Sequence, residues 1–102
     1  MVTEIKSLKQ LGELFASNNK VIIDFWAEWC GPCKITGPEF AKAASEVSTV
    51  AFAKVNVDEQ TDIAAAYKIT SLPTIVLFEK GQEKHRAIGF MPKAKIVQLV
   101  SQ

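Results

Sequence analysis

Sulfur is scarce in this 102-residue chain, which has two cysteines and two methionines. A secreted mini-protein held by disulfides would carry several cysteine pairs at longer spacings. Here Cys30 and Cys33 lie together, and a bridge across two residues closes almost no loop, so it would stabilise the fold very little through chain entropy. An excess of one charge is missing too. Twelve Lys and Arg against eleven Asp and Glu leave +1 with the histidine neutral, which removes the main electrostatic argument for nucleic acid or an anionic membrane as partner. Long apolar runs are absent: the longest, Ile63 to Tyr67, has five residues, where a bilayer span needs about 20. Met1 to Lys6 has no stretch of signal-peptide length, so nothing marks the chain for export and a cytoplasmic location is expected. What remains is 48% hydrophobic residues, enough for one core in a single domain over residues 1–102.

Ser7-Leu-Lys-Gln10 has the form of a capping box, and Leu8, Leu11, Leu14 and Phe15 recur at helical spacing, so the pattern predicts a helix over 7–18. Val2 to Lys6 before it reads as a short edge strand. Val21 to Ala27 is apolar on both alternating faces except for Asp24, the signature of a strand covered on both sides. A long helical pattern opens at Cys30 and runs to about Ser48 through Ile35, Phe40, Ala44 and Val47, with Pro38 predicting a kink. Ala51 to Val57 reads as a buried strand and Asp58 to Tyr67 as a short helix. Leu72 to Phe78 is a strand beginning at its proline, Lys80-Gly81-Gln82 a turn, and Lys84 to Gly89 a last strand. Pro92 fits the first turn of a closing helix over 93–101. Alternating strands and helices in the first half call for parallel pairing, whereas the tight turn makes the last two strands antiparallel. The fold class is α/β, a mixed sheet with helices on both faces.

Placed at a strand-to-helix junction, Cys30 lies beside the unpaired N–H groups of the first helical turn, at the positive end of the macrodipole. Both effects stabilise a thiolate and predict a lowered Cys30 pKa. Cys33 is three residues on, hence on the same helical face, at a separation that suits a disulfide. It lies inside the first turn and is expected to be the more buried of the two. Cys30 then attacks and Cys33 resolves. Zinc would need four ligands, and His85 is the only histidine to join the pair.

Trp29-Cys30-Gly31-Pro32-Cys33-Lys34 resembles the active-site motif of the thioredoxin family. The likeness extends over nearly the whole chain: Val21 to Glu28 resembles the strand leading into that motif, Pro38 the helix proline, Ser71-Leu72-Pro73-Thr74 the cis-proline loop, and Gly81 and Gly89 two later glycines. The resemblance implies a thioredoxin fold, with a central mixed five-stranded sheet flanked by four helices.

Asp24 is an acid in an apolar strand, so burial would raise its pKa, unless it faces solvent at a strand edge. The resemblance implies that it lies behind Cys33 and handles that thiol's proton through water. Lys54 matches the family lysine that pairs with this Asp, and a solvated strand-end lysine is the alternative. The resemblance further implies a cis Pro73, bringing the Leu72 backbone against Cys30 for strand addition by an extended substrate. It implies a substrate-binding set of Trp29, Leu72, Pro73, Thr74, Gly89 and Phe90, with Gly31 and Pro32 tuning the redox potential. Trp26 reads as packing. Phe90-Met91 departs from the small residue usual after Gly89, and either makes the groove bulkier or turns inward. Lys80, Lys84, Arg86, Lys93 and Lys95 against Glu83 read as a solvated face, or as a bias towards acidic partners.

The activity implied is a thiol–disulfide oxidoreductase that reduces disulfide-containing target proteins and is itself restored by an NADPH-dependent thioredoxin reductase. No cofactor is expected in the domain itself, no metal, no nucleic acid and no membrane, and a monomer is expected. Oxidation or isomerisation of disulfides is the rival enzyme reading. Pro32 stands against it, because oxidising relatives usually carry His at that position. A non-catalytic binding module on the same fold is the other alternative.

Overall fold

The structure, a computed structural model, describes residues 1–102. Its elements are β1 (Val2–Glu4), α1 (Leu8–Ser17), β2 (Lys20–Trp26), α2 (Gly31–Glu46), β3 (Ala51–Asn56), α3 (Thr61–Ala66), β4 (Thr74–Glu79), β5 (Gln82–Ile88) and α4 (Lys93–Val100). They form one five-stranded mixed sheet, as the resemblance implies, and its strand order is β1-β3-β2-β4-β5. β3 pairs in parallel with both β1 and β2.

The predicted capping box starts α1. Gln10 N–H donates to Ser7 Oγ at 3.0 Å, satisfying a donor that the helix start leaves free, and Gln10 Oε1 accepts from Lys6 N–H at 2.6 Å, tying the residue before the cap to the first turn. Leu8, expected on the apolar stripe, is instead exposed at the first turn. Asn56 Oδ1 accepts from Asp58 and Glu59 N–H, an Asx-type turn that holds residues 58–60 out of the predicted helix. α3 is therefore only six residues long.

The chain re-enters the sheet at the end where β3 left it, and β4 pairs antiparallel to β2 with Thr74 opposite Phe25. The strand begins at Thr74, one residue after the predicted proline start. Lys80 (φ 54°) and Gly81 (φ 77°) then form a two-residue hairpin turn, and Gln82 already belongs to β5.

The strand side chains divide two packed layers by their parity. Ile22, Phe52, Ile75 and Leu77 meet Phe40 and Ala43 of α2 and Ile96 and Val100 of α4. Val21, Ile23, Phe25, Ala53, Val55, Val76 and Phe78 meet Leu11 of α1 and Ile63 of α3. α2 continues past Pro38. Its buried stripe is Cys33, Thr36, Phe40, Ala43 and Ala44, so Ile35, predicted to carry the helix, points out at 60% exposure. Pro92 is the residue capping α4 and lies just before its first turn.

Candidate active site

β2 ends at Trp26, and the chain turns back through Cys30 N–H donating to Ala27 O at 3.2 Å. Cys30 is then the N-cap of α2, in extended conformation, and its Sγ accepts the Cys33 N–H at 3.2 Å. A cap position normally held by a side-chain oxygen is held here by sulfur. Cys30 and Cys33 are joined in a disulfide, with Cα atoms 5.3 Å apart. Both residues are 4% exposed, so the expectation that Cys33 is the more buried is corrected. The bridge ties both sulfurs into one cluster with Ala27, packed by Trp26, Val57 and Leu72. An asymmetry appears elsewhere: Cys33 lines a cavity beneath the bridge and Cys30 does not.

Exposed groups ring the bridge. Gly31 and Pro32 are exposed in the first turn of α2. Trp29 is 71% exposed, and its indole N–H donates to Asp58 Oδ2 at 2.8 Å. Just before β4, the Leu72–Pro73 peptide is cis, with Leu72 half-buried on the cysteine cluster and Pro73 buried. Gly89 takes φ 99° and donates its N–H to Pro73 O at 2.9 Å, a backbone angle that disfavours a side chain. Thr74 is buried, and its hydroxyl donates to Ser71 O at 2.6 Å. Its hydroxyl therefore holds the loop that precedes β4. Phe90 is 52% exposed, whereas Met91 turns into the core.

The cavity beneath the bridge has a volume of about 300 Å³, and Asp24, Trp26, Cys33, Pro38 and Lys54 are among its lining residues. Asp24 is 3% exposed, which removes the strand-edge alternative. Burial pushes its carboxyl up to about 7, opposed by the positive charge of Lys54. Asp24 Oδ1 and Trp26 Nε1 have no protein partner. An acceptor and a donor lining one cavity of this size suit water. Lys54 stands opposite Asp24 in the β2–β3 register. The predicted direct pair is corrected to a coupling through space: no ion pair forms between them, and Lys54 Nζ lies 5.5 Å from the Trp26 ring centroid. The ring face draws the ammonium along the strand and away from the carboxylate.

A strand-to-helix dithiol with a buried acid behind it narrows the candidates, and comparison with known proteins decides among them. The family profile described as Thioredoxin matches residues 3–102. The chain belongs to the thioredoxin family. A thioredoxin from Mycoplasma genitalium is 71% identical over 99 residues, covering 97% of each chain. The crystal structure of Malassezia sympodialis thioredoxin matches with a TM-score of 0.90 and 39% identity, covering 100% of this chain and 90% of that one. A bifunctional thioredoxin reductase/thioredoxin from Mycobacterium leprae is 35% identical over 99 residues, which make up 96% of this chain and 22% of that protein. With the Cys30–Cys33 pair in place, this member of the thioredoxin family is a thiol–disulfide oxidoreductase.

Two residues of this thioredoxin site escaped the sequence reading. Asp58 fixes the Trp29 indole from beyond the end of β3, and no local pattern marks it. Thr36 is fully buried, and its Oγ1 accepts the Met91 N–H at 3.2 Å. The spacing 33, 36, 40, 43 could have shown that it shares the buried stripe with Cys33. Of the predicted basic face, Arg86 is bound to Glu83 and to the Tyr67 and Lys68 carbonyls, and Lys93 to Glu46. Lys80, Lys84 and Lys95 are the cations of that face left without an ion pair. No helix is long and apolar enough to cross a membrane.

Proposed function

We propose that this chain is a protein-disulfide reductase acting on disulfide-containing target proteins. In the reduced form the Cys30 thiolate attacks one sulfur of a target disulfide. A Cys30–target mixed disulfide forms and the other target sulfur leaves as a thiolate. Cys33, deprotonated by Asp24 through water in the cavity, attacks Cys30 Sγ. The Cys30–Cys33 bond forms, the second target sulfur leaves, and two electrons have passed to the target. The helix-start N–H that reaches Cys30 Sγ favours the thiolate over the thiol. Lys54 tempers Asp24 by its charge. Trp29, Leu72, Pro73, Gly89 and Phe90 receive the target's backbone and apolar side chains, and Gly31 and Pro32 set the potential.

The observation that carries this reading is the asymmetry around the bridge. Cys30 caps the helix within the exposed ring, and Cys33 alone of the pair lines the Asp24 cavity. A thioredoxin reductase is the partner that restores the dithiol, a reading supported by the Mycobacterium leprae protein, whose name joins both activities in one chain. We place the protein in the cytoplasm as a monomer, needing no cofactor of its own.

Dithiothreitol-driven reduction of insulin tests the reading. Wild type is expected to catalyse it, and Cys33→Ser to stall as a mixed disulfide detectable by mass spectrometry. A fully active Cys33→Ser would overturn the two-cysteine mechanism, and an inactive wild type would favour a binding module. A reduction potential near the thioredoxin value of about −270 mV is expected, and one above about −180 mV would make the protein an oxidant or isomerase.

A further inference from the structure

Between β5 and α4 the chain runs along the active-site helix, and its alternate N–H groups are anchored. Gly89 N–H donates to Pro73 O at 2.9 Å, Met91 N–H to Thr36 Oγ1 at 3.2 Å, and Lys93 N–H to Glu39 Oε1 at 2.9 Å. Residues 36 and 39 are successive positions on one face of α2, and Cys33 precedes Thr36 on the same buried stripe. The second and third anchors therefore descend α2 in step, away from the disulfide. Met91 is sunk in the core beside Phe40 and Ala43. Phe90, between the first two anchors, is left 52% exposed.

The Met91 anchor is the unusual one. Thr36 is 0% exposed and lies on the buried stripe of α2 between Cys33 and Phe40, where a hydrocarbon residue would pack without a polar atom to satisfy. Its hydroxyl takes up a main-chain N–H that would otherwise be buried and unpaired. Without that bond nothing polar on α2 holds the segment at the level of Phe90, since the next anchor lies two residues further on.

We propose that Thr36 is a positioning residue for substrate recognition, whose buried hydroxyl holds Phe90 in place on the rim of the dithiol. This rests on the reductase reading. Protein disulfides, which carry side chains beyond the sulfurs, are the substrates that sense a displaced Phe90. The chemistry at Cys30 and Cys33 is not altered, so the effect falls on KM.

The test measures KM and kcat for insulin, with dithiothreitol as reductant, in Thr36→Val, Thr36→Ser, Phe90→Ala and the Thr36→Val/Phe90→Ala double variant. Thr36→Val keeps the shape and removes the acceptor; loss of one hydrogen bond predicts a KM raised about fivefold with kcat changed less than about twofold. Thr36→Ser keeps the acceptor and restores the wild-type KM. Phe90→Ala raises KM, and adding Thr36→Val to it raises KM no further, because both act through the same ring. Hydrogen exchange at the Met91 amide is expected to quicken in Thr36→Val and to stay slow in Phe90→Ala. An unchanged KM in Thr36→Val, no rescue by Ser, or full additivity in the double variant would each overturn the proposal. If Thr36→Val does not fold, Thr36→Ala takes its place under the same criteria. Failure of the wild type on insulin would instead sink the reductase reading, so the two failures are told apart.

Discussion

Asp24 and Lys54 stand side by side on paired strands, yet the lysine leans over the Trp26 ring and no ion pair closes between them. The carboxyl thereby feels a positive charge without being neutralised by it. Burial is the larger effect and leaves the group titrating at about 7. A direct, hydrogen-bonded pair would hold an aspartate ionised at neutral pH and unable to keep a proton. The looser arrangement leaves Asp24 able to take and return one in the physiological range.

Asp24 weakens the fold once it is charged. Its folded-state pKa is raised from 3.8 to about 7, so its contribution is fully present below the unfolded value and is lost as pH rises through about 7. Asp24→Asn is therefore expected to be more stable than wild type at pH 8, by up to about 4 kcal/mol. Near pH 3 the two converge. Urea denaturation at both pH values checks this, and equal stabilities at pH 8 would contradict the burial. The same variant should release targets from the mixed disulfide more slowly, read by single-turnover kinetics.

Removing the lysine charge should push Asp24 the other way from an ion pair. Lys54→Met deletes the one opposing charge acting on the buried carboxyl, so Asp24 is expected to titrate above its wild-type midpoint of about 7. A carbon-13 NMR titration of the Asp24 carboxyl measures it. An unmoved midpoint would show that the through-space coupling is negligible.

Gly89→Ala isolates a backbone effect. No atom lies within 4 Å of where its Cβ would stand, but φ is 99°. The variant is expected to lose about 1–2 kcal/mol from backbone strain alone. Chemical denaturation checks this, and a loss below a few tenths would mean that the segment relaxes freely.

Ser7→Ala removes one half of a reciprocal cap whose two bonds measure 3.0 and 2.6 Å. A loss of about 1 kcal/mol is expected, read as a lower denaturation midpoint with unchanged redox activity, since no α1 residue packs in the cysteine cluster.

Local signals were readable where one segment carries its own reason. Ser7 and Gln10 start α1 by hydrogen bonds four residues apart or fewer, and Cys30 reaches the Cys33 N–H within a single turn. Val21 to Trp26 announces a doubly covered strand through its apolar content, with Asp24 standing out as the exception. Apolar character alone misassigned Ile35, which faces solvent, because helix phase is set by what the neighbouring elements offer. Thr36 shares the buried stripe with Cys33 and Phe40, and its hydroxyl finds a partner there in the Met91 N–H from far along the chain. Thr74 matched a substrate-loop pattern, and its hydroxyl bonds to the Ser71 carbonyl.

Taken alone, the sequence determined the dithiol, the helix that presents it, the order of the elements and the family. Those depend on residue types a few positions apart and on short-range hydrogen bonding and periodicity. Only the tertiary structure decided that β4 runs antiparallel to β2, that Lys54 rests on Trp26, that Asp58 holds Trp29 and that Thr36 anchors Met91. Each of those joins groups distant in the chain, and their meeting follows from strand register and packing, which no single segment encodes.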